Sequence, residues 1–313
     1  MNIASIDIGS NTVLLLIANY NRSDQSLSTI INRYYTPRMG EGLVNGGKIG
    51  VGKVDQLIEI LKEYKNVAAE YKCSKILITA TNAFRIASNS AAIVQQVREK
   101  LSLDIQIIRG DEEAKLTFLG SAFPFAGNET KTIIDIGGGS TELIYGDRNN
   151  IFYKKSFDIG VVSLSENYFS TLPPSTVNLD AAYLYLNNIF TELSGAIPGG
   201  NITLAVAGTP TTLSCIKQGM KTYDDKLVNN SALSVTELGL ILDELVIMNR
   251  NEVLNKYGSV VDGREDLLLA GTIILKIIIK YLGIEKITVS SKGLRYGTAI
   301  NYLLGNQFIA EAK

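Results

Sequence analysis

Histidine is absent from all 313 residues. No Ser-His-Asp triad, histidine metal ligand or imidazole proton shuttle can therefore be built, and acid and base work falls to Asp, Glu, Lys, Tyr or Cys. Cysteine is scarce too. Cys73 and Cys215 lie far apart in the chain, so both are expected as free thiols in a reducing cytoplasm. Neither sign of charge is in excess: 30 Lys and Arg against 31 Asp and Glu leave a formal net charge of −1. Without a positive field the chain is not expected to recruit nucleic acid or an anionic membrane, and any anion site must be local. Long apolar runs are also missing. The longest, LLLAGTIIL at 267–275, is ended by Lys276 and is about half the ~20 residues of a membrane span, so a buried helix is expected there. The opening MNIASIDIGSN has neither a basic n-region nor an apolar h-region, which argues against a secretory signal.

What is present describes an ordinary globular chain long enough for two domains, with 46% apolar and 19% charged residues. Its first forty residues read as a meander of strands (IASIDIG, TVLLLIANY, LSTIINRYYTP) interrupted by the turn-like GSN and NRSDQS. Helical spacing then covers 52–71, KILITA is a strand, 90–101 a helix, IQIIRG a strand, and DEEAKLTFLGSAF a helix that opens on acids. The order restarts at KTIIDIGGGSTELIYGD. Laid side by side, IDIGSNTVLL and IDIGGGSTEL share Ile6/Ile134, Asp7/Asp135, Ile8/Ile136 and Gly9/Gly137 at an offset of 128 residues. An internal duplication follows: two α/β domains, each a sheet flanked by helices, around a central cleft, with a boundary near FAGNETK at 125–131. The expected division is 1–126, to which a C-terminal helix at 298–313 could return, and 127–305.

The repeated motif has a chemistry. A glycine turn between strands can aim successive N–H groups at an anion, and Gly9, Ser10, Asn11 and Thr12 in the first copy match Gly137, Gly138, Gly139, Ser140 and Thr141 in the second. VAGTPTTLS at 206–214 repeats the strand, glycine and hydroxyl order with Gly208, Thr209 and Thr211, where it opens a helix. Asp7 and Asp135 end buried strands and call for a cation or for turn amides. With Glu142 across the hairpin, Asp135 makes a hard oxygen site that suits Mg²⁺; capping of its own turn is the plainer alternative for either aspartate. Glu112 and Glu113 stand in the first turn of a helix directly after a strand, where acids are often only dipole partners, yet a carboxylate there could also orient and deprotonate a water. Arg85, in ITATNAFRIASN, offers permanent bidentate phosphate recognition. VSSKGLRYGTA adds Ser290, Ser291, Lys292 and Arg295 after a further strand, as phosphate-facing or merely solvated groups. GLVNGGKI at 42–49 has Walker A spacing, but Ile49 stands where a hydroxyl must reach Mg²⁺ and no apolar strand precedes it, so an Asn-Gly turn is expected instead.

Together DIGSNTVLLLI, TATNAFRIASN, GDEEAKLTFLG, DIGGGSTELI, AGTPTTL and SSKGLRYG resemble, in order and approximate spacing over residues 3–300, the exopolyphosphatase and guanosine pentaphosphate phosphohydrolase family. The resemblance implies a pair of ribonuclease H-like domains, the duplicated fold of actin, Hsp70, acetate kinase and the sugar kinases. It also implies an enzyme that releases terminal phosphate from inorganic polyphosphate or pppGpp with Mg²⁺ or Mn²⁺, and a homodimer. By motif it makes Glu113 the base, Arg85 a phosphate ligand, and Asp135 and Glu142 the metal and water-positioning carboxylates, with Asp7 beside them. The glycine and hydroxyl turns and Lys292 would bind phosphate. Thr12 replaces the usual Ser, TNAFR the usual TAALR, Ala207 a common Gly and Tyr296 a frequent Glu. Longer members carry an added C-terminal helical region, so short chains or a guanosine nucleotide are the expected substrates. A small-molecule kinase and a non-catalytic sensor of polyphosphate or ppGpp stay open as alternatives.

Overall fold

The computed structural model describes residues 1–305 apart from 22, 24, 25, 44, 45, 124–128, 148, 149 and 199–201. The expected boundary between 126 and 127, the last part of the expected C-terminal helix and two residues of the expected Asn-Gly turn lie outside these. The chain divides into two compact units, Met1–Gly120 together with the segment from Leu294 onward, and Ser121–Gly293.

The first unit follows the sequence pattern closely. Strands β1 (Asn2–Ile8), β2 (Val13–Asn21) and β3 (Ser26–Tyr35) form the antiparallel meander. Helix α1 (Val51–Glu70), β4 (Lys75–Ala80), the short α2 (Asn82–Ile86), α3 (Ser90–Leu101), β5 (Gln106–Ile107) and α4 (Gly110–Ala122) follow. The sheet order is β3-β2-β1-β4-β5, with β4 and β5 parallel to β1. On one side of it α1 buries Leu57, Leu61, Tyr64 and Ala68, one helical stripe, into a core with Ile6, Leu15 and Ile78.

The second unit repeats the plan. It holds β6 (Lys131–Ile136), β7 (Thr141–Gly146), β8 (Ile151–Phe157), α5 (Val161–Tyr168), α6 (Thr176–Phe190), β9 (Ile202–Val206), α7 (Gly208–Lys217), α8 (Asp225–Val228), β10 (Ala232–Ser234), α9 (Val235–Leu245), α10 (Arg250–Tyr257), α11 (Leu268–Tyr281) and β11 (Lys286–Val289). Its sheet runs β10-β11-β9-β6-β7-β8, with β6, β9 and β11 parallel. Read from β8 inward, this is the order of the first sheet with one antiparallel edge strand, β10, added. The apolar run near 267–275 is the buried helix expected: in α11 every residue from Leu268 to Ile279 except Lys276 is buried. No described helix is long and apolar enough to cross a membrane.

The last described helix, α12 (Leu294–Leu303), belongs to the first unit. Sequence reading makes Arg295 a basic group at a strand end or on the surface; it is neither. The residue is 9% exposed, and its Nη1 donates to Leu15 O at 3.3 Å and Asn32 Oδ1 at 2.5 Å. Tyr296, also buried, shares a 2.7 Å hydrogen bond with Thr29 Oγ1. Both side chains therefore dock α12 on β2 and β3. Close approach of α12 to α4 requires Gly297, where a Cβ would lie 1.7 Å from Leu116 O. Gly297→Ala should consequently lower stability by about 1–3 kcal/mol, whereas Gly239→Ala in α9, which meets open space, should raise it by about 0.5–1 kcal/mol. Urea unfolding of the two variants checks the pair.

Candidate functional site

In each unit the residues singled out by sequence, Arg295 excepted, gather at the carboxyl ends of the parallel strands, the edge where open α/β sheets place their ligands. In the first unit β1 runs into the Gly9–Thr12 turn, β4 into Thr81 and α2, and β5 into Arg109 and α4. In the second, β6 runs into Gly137–Ser140, β9 into Ala207 and α7, and β11 into Ser290–Lys292.

The two glycine turns are built alike. Gly9 N–H donates to Thr12 O at 2.9 Å, and Gly137 N–H to Ser140 O at 2.9 Å. The next three N–H groups, of Ser10, Asn11 and Thr12 and of Gly138, Gly139 and Ser140, have no acceptor among the described residues. Three open amides in a row suit an anion. Hydroxyls contribute less than their sequence pattern promises. Thr141 is wholly buried and donates to Ile159 O at 2.7 Å. Thr211 donates back to Ala207 O and Gly208 O, both at 3.0 Å. Thr209 packs on α11, where a Cβ at Gly271 would lie 2.1 Å from its Oγ1. The Thr141 and Thr211 protons are committed inside the unit, because a hydroxyl in the first turns of such an element finds a carbonyl before it finds solvent.

Strand pairing settles the carboxylates of the second unit. Asp135 and Glu142 are direct cross-strand partners on β6 and β7 and so share one face. Glu142 is 1% exposed and accepts from Ser156 Oγ at 2.6 Å. Like charges directly opposite repel, and hard oxygens in that arrangement fit a divalent ion that keeps waters for other ligands. In the first copy the position equivalent to Glu142 is Leu14, opposite Asp7, so that hairpin carries one carboxylate where the second copy carries two.

The three acids that open α4 part company. Asp111 pairs with the exposed Arg109, and Glu112 accepts from Gln106. Glu113 turns inward, 8% exposed, to Arg85, whose Nη1 donates to Glu113 Oε2 at 2.5 Å and to Ile108 O at 3.2 Å. Arg85 is presented by α2, whose first turn bonds to Thr81 O. Burial pushes the Glu113 carboxyl above the ordinary carboxylate range, against the opposing pull of Arg85.

Lys292 is partly buried after β11; its N–H donates to Ser290 Oγ, and its carbonyl accepts from Ser290 Oγ and from Ser121 Oγ. One residue escaped the sequence reading. Arg264 lies against the start of α7, so close that a Cβ at Gly208 would fall 2.4 Å from its Nη1, and it donates to Thr212 Oγ1 at 3.2 Å. A lone arginine in a turn far along the chain carries no local signal. Ala207, just before α7, has φ +75° and ψ −166°, a region nearly reserved for glycine.

A duplicated ribonuclease H-like α/β protein, with an anion-shaped turn and a carboxylate in each copy, is the class these features define. The chain matches the Ppx/GppA phosphatase family over residues 18–305 and belongs to that family. It is 29% identical over 92% of its length to a bifunctional 3-dehydroquinate synthase/phosphatase of Fusobacterium nucleatum, of which it spans only 44%. It is 25% identical to Exopolyphosphatase 2 of Mycobacterium tuberculosis, over 96% of this chain and 98% of that one. Among solved structures, the Aquifex aeolicus Ppx/GppA family member is 28% identical with a TM-score of 0.83, over 98% of this chain and 99% of that one. A Cytophaga hutchinsonii exopolyphosphatase is 25% identical with a TM-score of 0.88, over 97% and 98%.

Two expected outcomes follow from the site. Because the folded-state pKa of Glu113 lies above its unfolded value, the stability this group contributes is present at acid pH and is lost as pH rises through the folded pKa. Glu113→Gln cannot ionise, so its melting temperature relative to wild type should climb from acid to neutral pH; a difference that falls instead contradicts the assignment. Ala207→Gly relieves the positive φ and should stabilise the protein by about 1 kcal/mol in chemical denaturation.

Proposed function

We propose that the protein hydrolyses the terminal phosphoanhydride of inorganic polyphosphate, with pppGpp as a second substrate of the same kind. The observation that carries this reading is Glu113: a buried carboxylate at a strand-end edge, its pKa raised by burial, held by Arg85. No histidine competes for the role. The names of its relatives, exopolyphosphatases among them, support the same reaction.

In this reading Glu113 holds a water and takes its proton as the water oxygen bonds to the terminal phosphorus. The bridging oxygen leaves with the shortened chain. Arg85 carries permanent charge beside the base, and Arg264 does so at the start of α7, where peptide dipoles also favour an anion. The open amides of Ser10–Thr12 and Gly138–Ser140 hold phosphate oxygens. Asp135 and Glu142 fit Mg²⁺ or Mn²⁺, with Asp7 as a single carboxylate in the first unit, and the ion when bound neutralises charge on the phosphates. Among the described residues no cluster of three or more potential ligands forms. Assembly as a homodimer belongs to the same proposal.

Phosphate release should be measured from short polyphosphate, long polyphosphate and pppGpp in parallel with Mg²⁺. Chelation with EDTA should stop it, and Glu113→Gln should lower kcat by about 10² to 10⁴. Binding of these compounds without release, in the wild type, would replace the hydrolase by a sensor. A kcat/KM that rises steeply with polymer length would remove the preference for short chains.

A further inference from the structure

Both glycine turns are held from behind, and they are held differently. In a trans peptide the C=O of one residue and the N–H of the next point in opposite directions. A donor that ties down a carbonyl in the turn therefore also aims the following N–H. In the second unit Val161 N–H donates to Gly137 O at 3.0 Å and Val162 N–H to Gly138 O at 2.8 Å, which aims the N–H groups of Gly138 and Gly139. The donors there are the first turn of α5, and Gly160 permits the contact, since a Cβ would lie 2.5 Å from Gly138 O.

In the first unit the donors come from an irregular loop. Gly40 N–H donates to Ser10 O at 2.8 Å and Arg38 N–H to Asn11 O at 3.0 Å, which aims Asn11 and Thr12. A Cβ at Gly40 would lie 2.8 Å from Ser10 Cβ, so the loop sits as close as glycine allows. Arg38 has φ +53°, uncommon outside glycine. No helix enforces that conformation. The loop closes on itself through Glu41 N–H to Arg38 O at 3.1 Å, and Lys53, on α1, ties it to the helix: its Nζ donates to Pro37 O at 3.2 Å, Arg38 O at 2.5 Å and Glu41 Oε2 at 2.8 Å. All three donors of the ammonium are thereby engaged, two of them on the main chain of the loop. An exposed Lys–Glu pair could be exchanged without consequence; a lysine that closes a loop through its carbonyls cannot.

We propose that Lys53 is a positioning residue for phosphate binding. It fixes the 37–41 loop, the loop fixes two peptide planes of the Gly9–Thr12 turn, and the affinity of that turn for a terminal phosphate follows, without contact between Lys53 and the substrate. The inference rests on the reading of the turn as a phosphate site.

The test is calorimetric titration of inorganic phosphate, alongside steady-state phosphate release from short polyphosphate, for wild type, Lys53→Met, Lys53→Arg and Lys62→Met. Lys62 pairs with Glu59 on the exposed side of the same helix and serves as control. Lys53→Met should weaken phosphate binding and raise KM about ten- to a hundred-fold, with Lys53→Arg recovering much of the loss and Lys62→Met unchanged. Phosphate affinity and KM within about twofold of wild type in Lys53→Met, on the scale of such positioning effects, would overturn the proposal, as would a wild type that binds no phosphate. If Lys53→Met does not fold, Lys53→Gln, whose shorter side chain cannot hold both loop carbonyls, takes its place, and phosphate affinity and KM within about twofold of wild type overturn the proposal equally. A wild type that binds phosphate but releases none from any substrate defeats the hydrolase reading alone, since the titration still reports on Lys53.

Discussion

A main-chain N–H can serve a ligand only if the protein's own acceptors leave it unclaimed, yet a folded chain tends to pair every such group. Two four-residue turns meet this constraint by the same device. One hydrogen bond, from the first residue to the carbonyl of the fourth, closes each turn and leaves the next three amides facing outward. The surrounding structure serves that arrangement: carbonyls are tied from behind, glycines stand at 40 and 160 where any side chain would collide, and parallel strands bring further groups to the same edge.

Charge is distributed unevenly over the two copies. The first unit has Asp7 facing Leu14, and its buried acid lies instead on α4, where Glu113 pairs with Arg85. The second sets two carboxylates opposite each other and places Arg264 at the start of α7. The two copies thus separate a carboxylate raised by burial from a pair of carboxylates facing each other across a hairpin. Acid–base and cation chemistry need opposite environments, one desolvated and one rich in hard oxygen.

The repeat, the strand-turn-strand pattern and the buried α11 were legible because they depend on local periodicity and on glycine. The turn at 9–12 shows itself twice, which is why the sequence marks it so clearly. Side-chain direction was less legible: nothing in the spelling of GSTEL or GTPTT says that Thr141, Thr209 and Thr211 point inward, since that depends on which carbonyl or helix lies nearest. Arg295 was misread because a basic residue after a strand looks solvated, whereas α12 packs over β1 and β2 and carries it into the interior. Arg264 and Lys53 were invisible for a third reason. Each acts on a segment distant in sequence or irregular in backbone, and neither segment has a period.

The placement of α12 bears on biosynthesis. The first unit is split, with its last helix supplied only after Ser121–Gly293 has been made, and that helix brings the buried guanidinium that Leu15 O and Asn32 accept. A ribosome emits the meander and its helices long before their final partner exists, and contacts of such separation close slowly. The later unit is one uninterrupted stretch and can mature as it emerges. The earlier unit is completed only once α12 follows, and until then Leu15 and Asn32 lack the guanidinium that they accept from.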